Sequence, residues 1–354
     1  MHCSTVRRAA VLTTAAAVTL LLPVAAAVPA SAHQRWFVEN TDGGDWGFFF
    51  SPLPVALTAA VVAVTFAWRI VGRWLPSPEL RPLRPLGRIA DYVPRLLAVY
   101  LGVSLLALAV TGDFLAHSNQ LRDVPGGSIT GLVEGALGVW FITGIRLRIA
   151  TVVFATLAPL ALIAAGPVAL FESALLFGIA AFLWILPPSD RTFGRVEPHP
   201  AVLRAALLAL RVGVATSLVT LAFSEKFTNP ELASHTLEKY PLLNVFSQIG
   251  IHLPHDTFTT IAGSIELLFG LLLLSGALPQ VVVLVAAVPF NATLLLFGQT
   301  ELIGHLPVYG AFLALVIYGS NLATAPAVSW LPRLRSARSR AAAPRVARVI
   351  PHAV

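Results

Sequence analysis

Four ionisable side chains interrupt long apolar stretches of this 354-residue chain: Glu134, Glu172, Glu266 and His305. A charged group near the centre of a bilayer costs at least about 3 kcal/mol, so such a residue faces a cavity or a partner. Carboxylate and imidazole together in an apolar site suit proton handling. The same groups suit a divalent metal or a quinone head group. They also suit a purely structural role, in which neutral carboxylic acids hydrogen-bond between helices. Spacing alone does not choose among these uses.

A second set comprises His33, His117, His235, His252 and His255, which are expected on the outer face. Histidine with carboxylate and without thiolate suits Zn²⁺ or Cu²⁺. These are candidate metal or partner contacts, although His252 and His255 flank Leu253-Pro254 and show no diagnostic ligand spacing. An N-terminal His33, exposed by cleavage, could chelate Cu²⁺ through its amine and imidazole. The only cysteine, Cys3, and the only methionine, Met1, lie in a segment expected to be removed. A mature chain without sulfur excludes disulfides, thiolate zinc, iron–sulfur ligation and a cysteine nucleophile. No P-loop, dinucleotide or zincin motif is present, so an ATP-driven pump or a zincin has no support.

The elements that carry these residues follow from composition. The chain is 56% hydrophobic and 12% charged, against about 25% charged in soluble domains, and its mean hydropathy is +0.79. The apolar blocks are near the ~20 residues a helix needs to cross a bilayer. The expected fold is an all-α polytopic membrane bundle. Residues 1–32 read as a signal peptide, with Arg7 and Arg8, an apolar Val11 to Leu22, and Ala30-Ser31-Ala32 for cleavage. Residues 33–51 form a polar, aromatic outer segment whose Trp46 and Phe48 to Phe50 anchor the interface. Nine spans follow, near 52–71, 93–112, 128–145, 149–165, 168–186, 204–223, 258–276, 279–297 and 303–322. The first, with the basic loop to residue 92, is an extra helix. The tail, 326–354, is Arg-rich and expected to be disordered.

With the mature N-terminus outside, eighteen arginines fall on the cytoplasmic side, including Arg69, Arg95, Arg148 and Arg211. Only Arg35, Arg122, Lys226 and Lys239 fall outside. That asymmetry orients the chain in a bacterial cytoplasmic membrane, C-terminus inside. It also accounts for the net charge of +7 as contact with anionic lipid, so no nucleic-acid partner is expected.

The chain also repeats itself. ITGLVEGALGVWFITG ends at Gly144 and IAGSIELLFGLLLLSG at Gly276, with Glu134 and Glu266 each ten residues earlier. Glu172 follows Gly144 by 28 residues and His305 follows Gly276 by 29. LAVTGDF (108–114) matches LAFSEKF (221–227). Two parallel four-helix repeats, 93–187 and 204–322, are expected. Glu134 and Glu172 would then face one bundle interior, and Glu266 and His305 the other. Gly131 and Gly135 mark a close helix contact. In the outer loop, Leu232 to Lys239 suit a short helix and Leu242 to Ile251 an amphipathic surface segment.

FSEKFTNPELA, YPLLN and GSIELLFGLLLLSG make the chain resemble the DoxX-like family of bacterial membrane proteins. The resemblance is clearest over 204–322 and weaker over 93–187. Family members are small four-helix proteins; duplication, a signal peptide and an extra helix set this chain apart. The resemblance implies a link to redox biology: one archaeal member is a subunit of a thiosulfate:quinone oxidoreductase, and an actinobacterial member joins an oxidant-defence complex. It supplies no catalytic set to carry over. The expected function is a membrane subunit supporting quinone-linked or oxidative-stress redox chemistry, with an oxidoreductase partner that holds the active cofactor. One alternative is a stand-alone transporter, or a protein handling protons or divalent metal, that uses the outer-leaflet Glu/His pocket. The lack of in-span positive charge counts against transport. Another is a structural or assembly protein.

Overall fold

The computed structural model describes residues 44–190, 194–248 and 250–332. The expected signal peptide, His33 and the arginines from 333 onward lie outside the described residues. A short α1 (Trp46–Phe49) precedes α2 (Pro52–Val71), whose Pro52 occupies the first turn, where its missing N–H costs nothing. A 3₁₀ segment, Arg81–Tyr92, leads into α3 (Val93–Thr111). A two-stranded hairpin follows, β1 (Asp113–Phe114) and β2 (Ala116–Gln120), and then α4 (Gly127–Thr143). Gly112 and Gly144 end α3 and α4 at φ of 83° and 82°, the left-handed conformation that glycine adopts freely.

The next apolar stretch divides into α5 (Leu147–Ala155), α6 (Leu157–Glu172) and α7 (Ala174–Ile185). Gly166, at φ 82° and ψ 179°, breaks α6 internally. Pro167 cannot supply the N–H that would continue the ladder. The second half begins with α8 (Pro200–Leu221), which widens into a π-helical turn, Ala222–Phe227. It continues through α9 (Pro230–Lys239), α10 (Val245–Gln248), α11 (His255–Ser275), α12 (Pro279–Phe297) and α13 (Gln299–Ser320). A short α14 (Ala325–Val328) follows. Six helical stretches among the described residues are long and apolar enough to cross a membrane, and three shorter apolar helices accompany them. The chain is therefore an all-α bundle of the multi-pass membrane kind.

Helices pack where glycine lets backbones touch. A Cβ on Gly138 would lie 2.7 Å from the Gly102 carbonyl oxygen, so α3 and α4 meet there. Gly131 and Gly135, expected at the close contact, instead face the Leu121 and Ala109 side chains. A Cβ on Gly213 of α8 would sit 2.7 Å from the Gly178 Cα of α7. By contrast, α2 is only 11% buried and leans on α11.

One face of the bundle is basic, and its arginines have a local task. The Arg69 Nη1 donates to the Ser275 carbonyl at 2.9 Å, and Arg95 Nη2 to Ile142 at 2.5 Å. Arg148 Nε donates to Trp184 at 3.3 Å and Arg211 Nη2 to Trp330 at 2.8 Å; Arg211 Nη1 also meets the Val328 carbonyl. These carbonyls lie at or just beyond helix C-termini, which lack partners within the helix and sit at the negative end of its dipole. Arg211 is fully buried within α8, so a positive charge does lie inside an apolar helix, contrary to expectation. It also corrects the expected disordered tail: residues 325–332 run along α8, held by Arg211 and by Arg204 over the Trp330 ring.

Candidate functional site

Away from the basic face, the gap between the two halves holds a partly open cavity of about 70 Å³. Glu172, His305 and His117 line it, with Ser217 and apolar side chains including Leu176 and Phe290. Each polar group arrives by a different route. Glu172 ends α6, where Ser173 interrupts the helix and returns its hydroxyl to the Ala169 carbonyl at 2.9 Å. Its carboxylate accepts from Ser224 Oγ of the π turn at 2.9 Å, and its backbone carbonyl accepts from Ser217 Oγ of α8. His305 lies one turn after Glu301 on α13, with Nδ1 3.2 Å from Glu301 Oε1. The Phe290 ring packs edge-on against it at 4.7 Å. His117 comes from the hairpin: Gly112 turns the chain, and β2 brings His117 Nδ1 to 2.5 Å from Asp113 Oδ2.

The expected pairings are thereby rearranged. Glu134 and Glu172 do not share a site, nor do Glu266 and His305. Glu172 and His305, one from each half, share the cavity instead. Glu134 is fully buried and accepts from the Leu115 backbone N–H at 3.0 Å. Glu266 meets Lys226 Nζ at 2.9 Å, and Glu225 holds the same ammonium at 3.3 Å. From sequence Lys226 is counted on the outer side; the π turn puts it into the helix packing, where only 14% of its side chain is exposed. The reason is geometric. A π turn adds a residue to the helical repeat and redirects the side chains that follow, often at functional positions.

The remaining histidines lie apart: His235 on α9, His252 in the segment before α11, and His255 at its first residue. Among the described residues no three His, Cys, Asp or Glu side chains gather in a metal-holding arrangement. The cavity admits a few waters but falls well below the roughly 300–1,000 Å³ of ordinary ligand sites, so a quinone ring does not fit it. What it does combine is a carboxylate and two imidazoles, each imidazole beside a carboxylate of its own. That arrangement can accept, hold and pass a proton. Asp113, Glu301, Ser217 and Ser224 were missed from sequence; the spacing of four between Asp113 and His117 and between Glu301 and His305 was the available signal. No protein-family model, curated protein or solved structure matches the chain.

Proposed function

We propose that this chain is an integral membrane subunit whose buried Glu172–His117–His305 cavity exchanges protons in support of redox chemistry carried by a partner. One observation carries the reading: two carboxylate-backed imidazoles and a carboxylate, from three separate elements, converge on a space sized for water. The DoxX-like resemblance supplies the redox context and the expectation of an oxidoreductase partner. The reading places nine crossings in a bacterial cytoplasmic membrane, with the basic face inside. Gathering of Arg69, Arg95, Arg148 and Arg211 at one end of the bundle supports that orientation. Two further likenesses support parallel repeats. Gly144 and Gly276 each press on an arginine, Arg95 and Arg211 respectively. Glu134 and Glu266 each bind a residue just beyond the apolar part of the preceding long helix, Leu115 and Lys226.

The stand-alone transporter reading draws support from the in-helix positive charges of Arg211 and Lys226. The cavity's size restricts it to protons or small ions. Purification from native membranes in mild detergent, followed by mass spectrometry, separates the two. A stoichiometric oxidoreductase partner whose turnover collapses in Glu172→Gln, at unchanged abundance, is the expected result. A chain that purifies alone, with a Glu172→Gln variant that behaves as wild type in cells, sinks the redox-subunit reading.

A further inference from the structure

The cavity's two histidines differ in how wet they are. The Asp113 and His117 side chains are 13% and 8% exposed, whereas Glu301 and His305 are 3% and 4% exposed. Asp113 also accepts from the exposed Thr111 hydroxyl at 2.6 Å, which joins the dyad to the surface where α3 ends. On the side toward the basic face the cavity is floored by Leu175, Leu176, Val214 and Leu218, each at most 5% exposed, and by Ser104, whose hydroxyl is turned back to the Tyr100 carbonyl at 2.8 Å; no ionisable group of the lining lies on that floor. A proton has titratable groups on one side and none on the other.

We infer that the cavity is a one-sided proton well: it exchanges only with the face opposite the arginines, through the Asp113–His117 dyad, and stores the proton on Glu172. The inference rests on the proton-exchange reading above and adds its direction and its gatekeeper. A proton from solution adds to the Asp113 carboxylate and moves to His117 Nδ1. The imidazolium releases its Nε2 proton to a water in the cavity, and that water protonates the Glu172 carboxylate. The water and the imidazole are regenerated once the ring resets its tautomer, so the net change is one proton taken from solution and one carboxylate neutralised. The groups facing Glu172 in this step are His117 with Asp113 from the hairpin, His305 with Glu301 from α13, Ser217 from α8 and Ser224 from the π turn. Ser224 adjoins Glu225, and there the single ammonium of Lys226 faces the two carboxylates of Glu225 and Glu266.

The full chain, reconstituted in vesicles with its C-terminus marked, is stepped in pH on one side at a time. The readout is the infrared carbonyl band of a protonated carboxylic acid, assigned by its loss in Glu172→Gln. The band should follow pH on the side opposite the C-terminus and ignore the other. His117→Gln should slow its appearance by on the order of a hundredfold without moving its sidedness. A band that follows pH on the C-terminal side, or on both sides, overturns the inference while leaving proton exchange intact. So does an unchanged rate in a His117→Gln protein that elutes and melts like wild type. Absence of any titrating Glu172 band overturns both the inference and the reading beneath it. The sidedness measurement uses the wild-type chain, so poor folding of a variant does not blunt it.

Discussion

Lys226 holds two carboxylates in a nearly dry place, with Glu266 at 2.9 Å and Glu225 at 3.3 Å. Removing one member of such a buried cluster leaves uncompensated charge, and the loss is typically about 3–5 kcal/mol. Lys226→Met should therefore lower the melting temperature in detergent by many degrees, and Glu266→Gln by less, because Glu225 still answers the ammonium. A Lys226→Met protein that melts like wild type would show that the cluster is solvated after all. The ionisable residues themselves were plain from sequence, since a carboxylate inside an apolar run stands out. Their partners were not. Glu172 and His305 lie on stretches more than a hundred residues apart, and the repeat pairs each with a nearer residue instead. Periodicity says nothing about which distant helices meet. The hairpin that carries His117 into the cavity depends on Gly112 and on a turn at Leu115 with φ of 59°, which no apolar pattern announces.

Among the elements, seven of the nine expected spans match observed helices to within about four residues, because a bilayer demands long uncharged runs and glycine and proline mark their ends; the expected 149–165 and 168–186 do not, the chain there forming helices 147–155, 157–172 and 174–185. The interruptions at Gly166 and Ser173 and the π turn at 222–227 were not, since they depend on what packs opposite. The loop after α2 is another case. Gln280 Oε1 accepts from the Leu80 backbone N–H at 2.8 Å, its own backbone N–H donates to Glu79 at 3.1 Å, and its side-chain amide donates to Ser320 at 2.7 Å. One side chain thus ties the loop to the start of α12 and the end of α13. Burial raises the Glu79 carboxyl above its ordinary range, partly offset by the hydrogen bond from Gln280. The folded protein therefore binds that proton more tightly than the unfolded chain. Glu79's contribution to stability is greatest at low pH and is lost as pH rises through its raised value. Melting curves across that window should show the loss, and Glu79→Gln should flatten it. A pH dependence identical in wild type and variant would remove Glu79 from the tether.

At the scale of the molecule, the last described stretch belongs to the fold. Arg211 reads the Val328 and Trp330 carbonyls from inside α8, and Arg204 lies over the Trp330 ring. Truncation after Pro332 should leave the melting temperature unchanged, while truncation after Asn321 should lower it by several degrees and strand a buried guanidinium. Equal melting of the two truncated chains would show that the strap adds nothing. The signal was present in the sequence: residues 325–332, APAVSWLP, hold no arginine, and the Arg-rich run begins only at Arg333.

The arginines that close helix ends have a consequence for how such a chain can change. Under the orientation proposed above, the charges that direct insertion are, once folded, the donors that the helix ends depend on. A single mutation at these sites is therefore read twice, once during biogenesis and once in the finished protein. Moving positive charge away from these sites would break the helix ends before it could invert the chain.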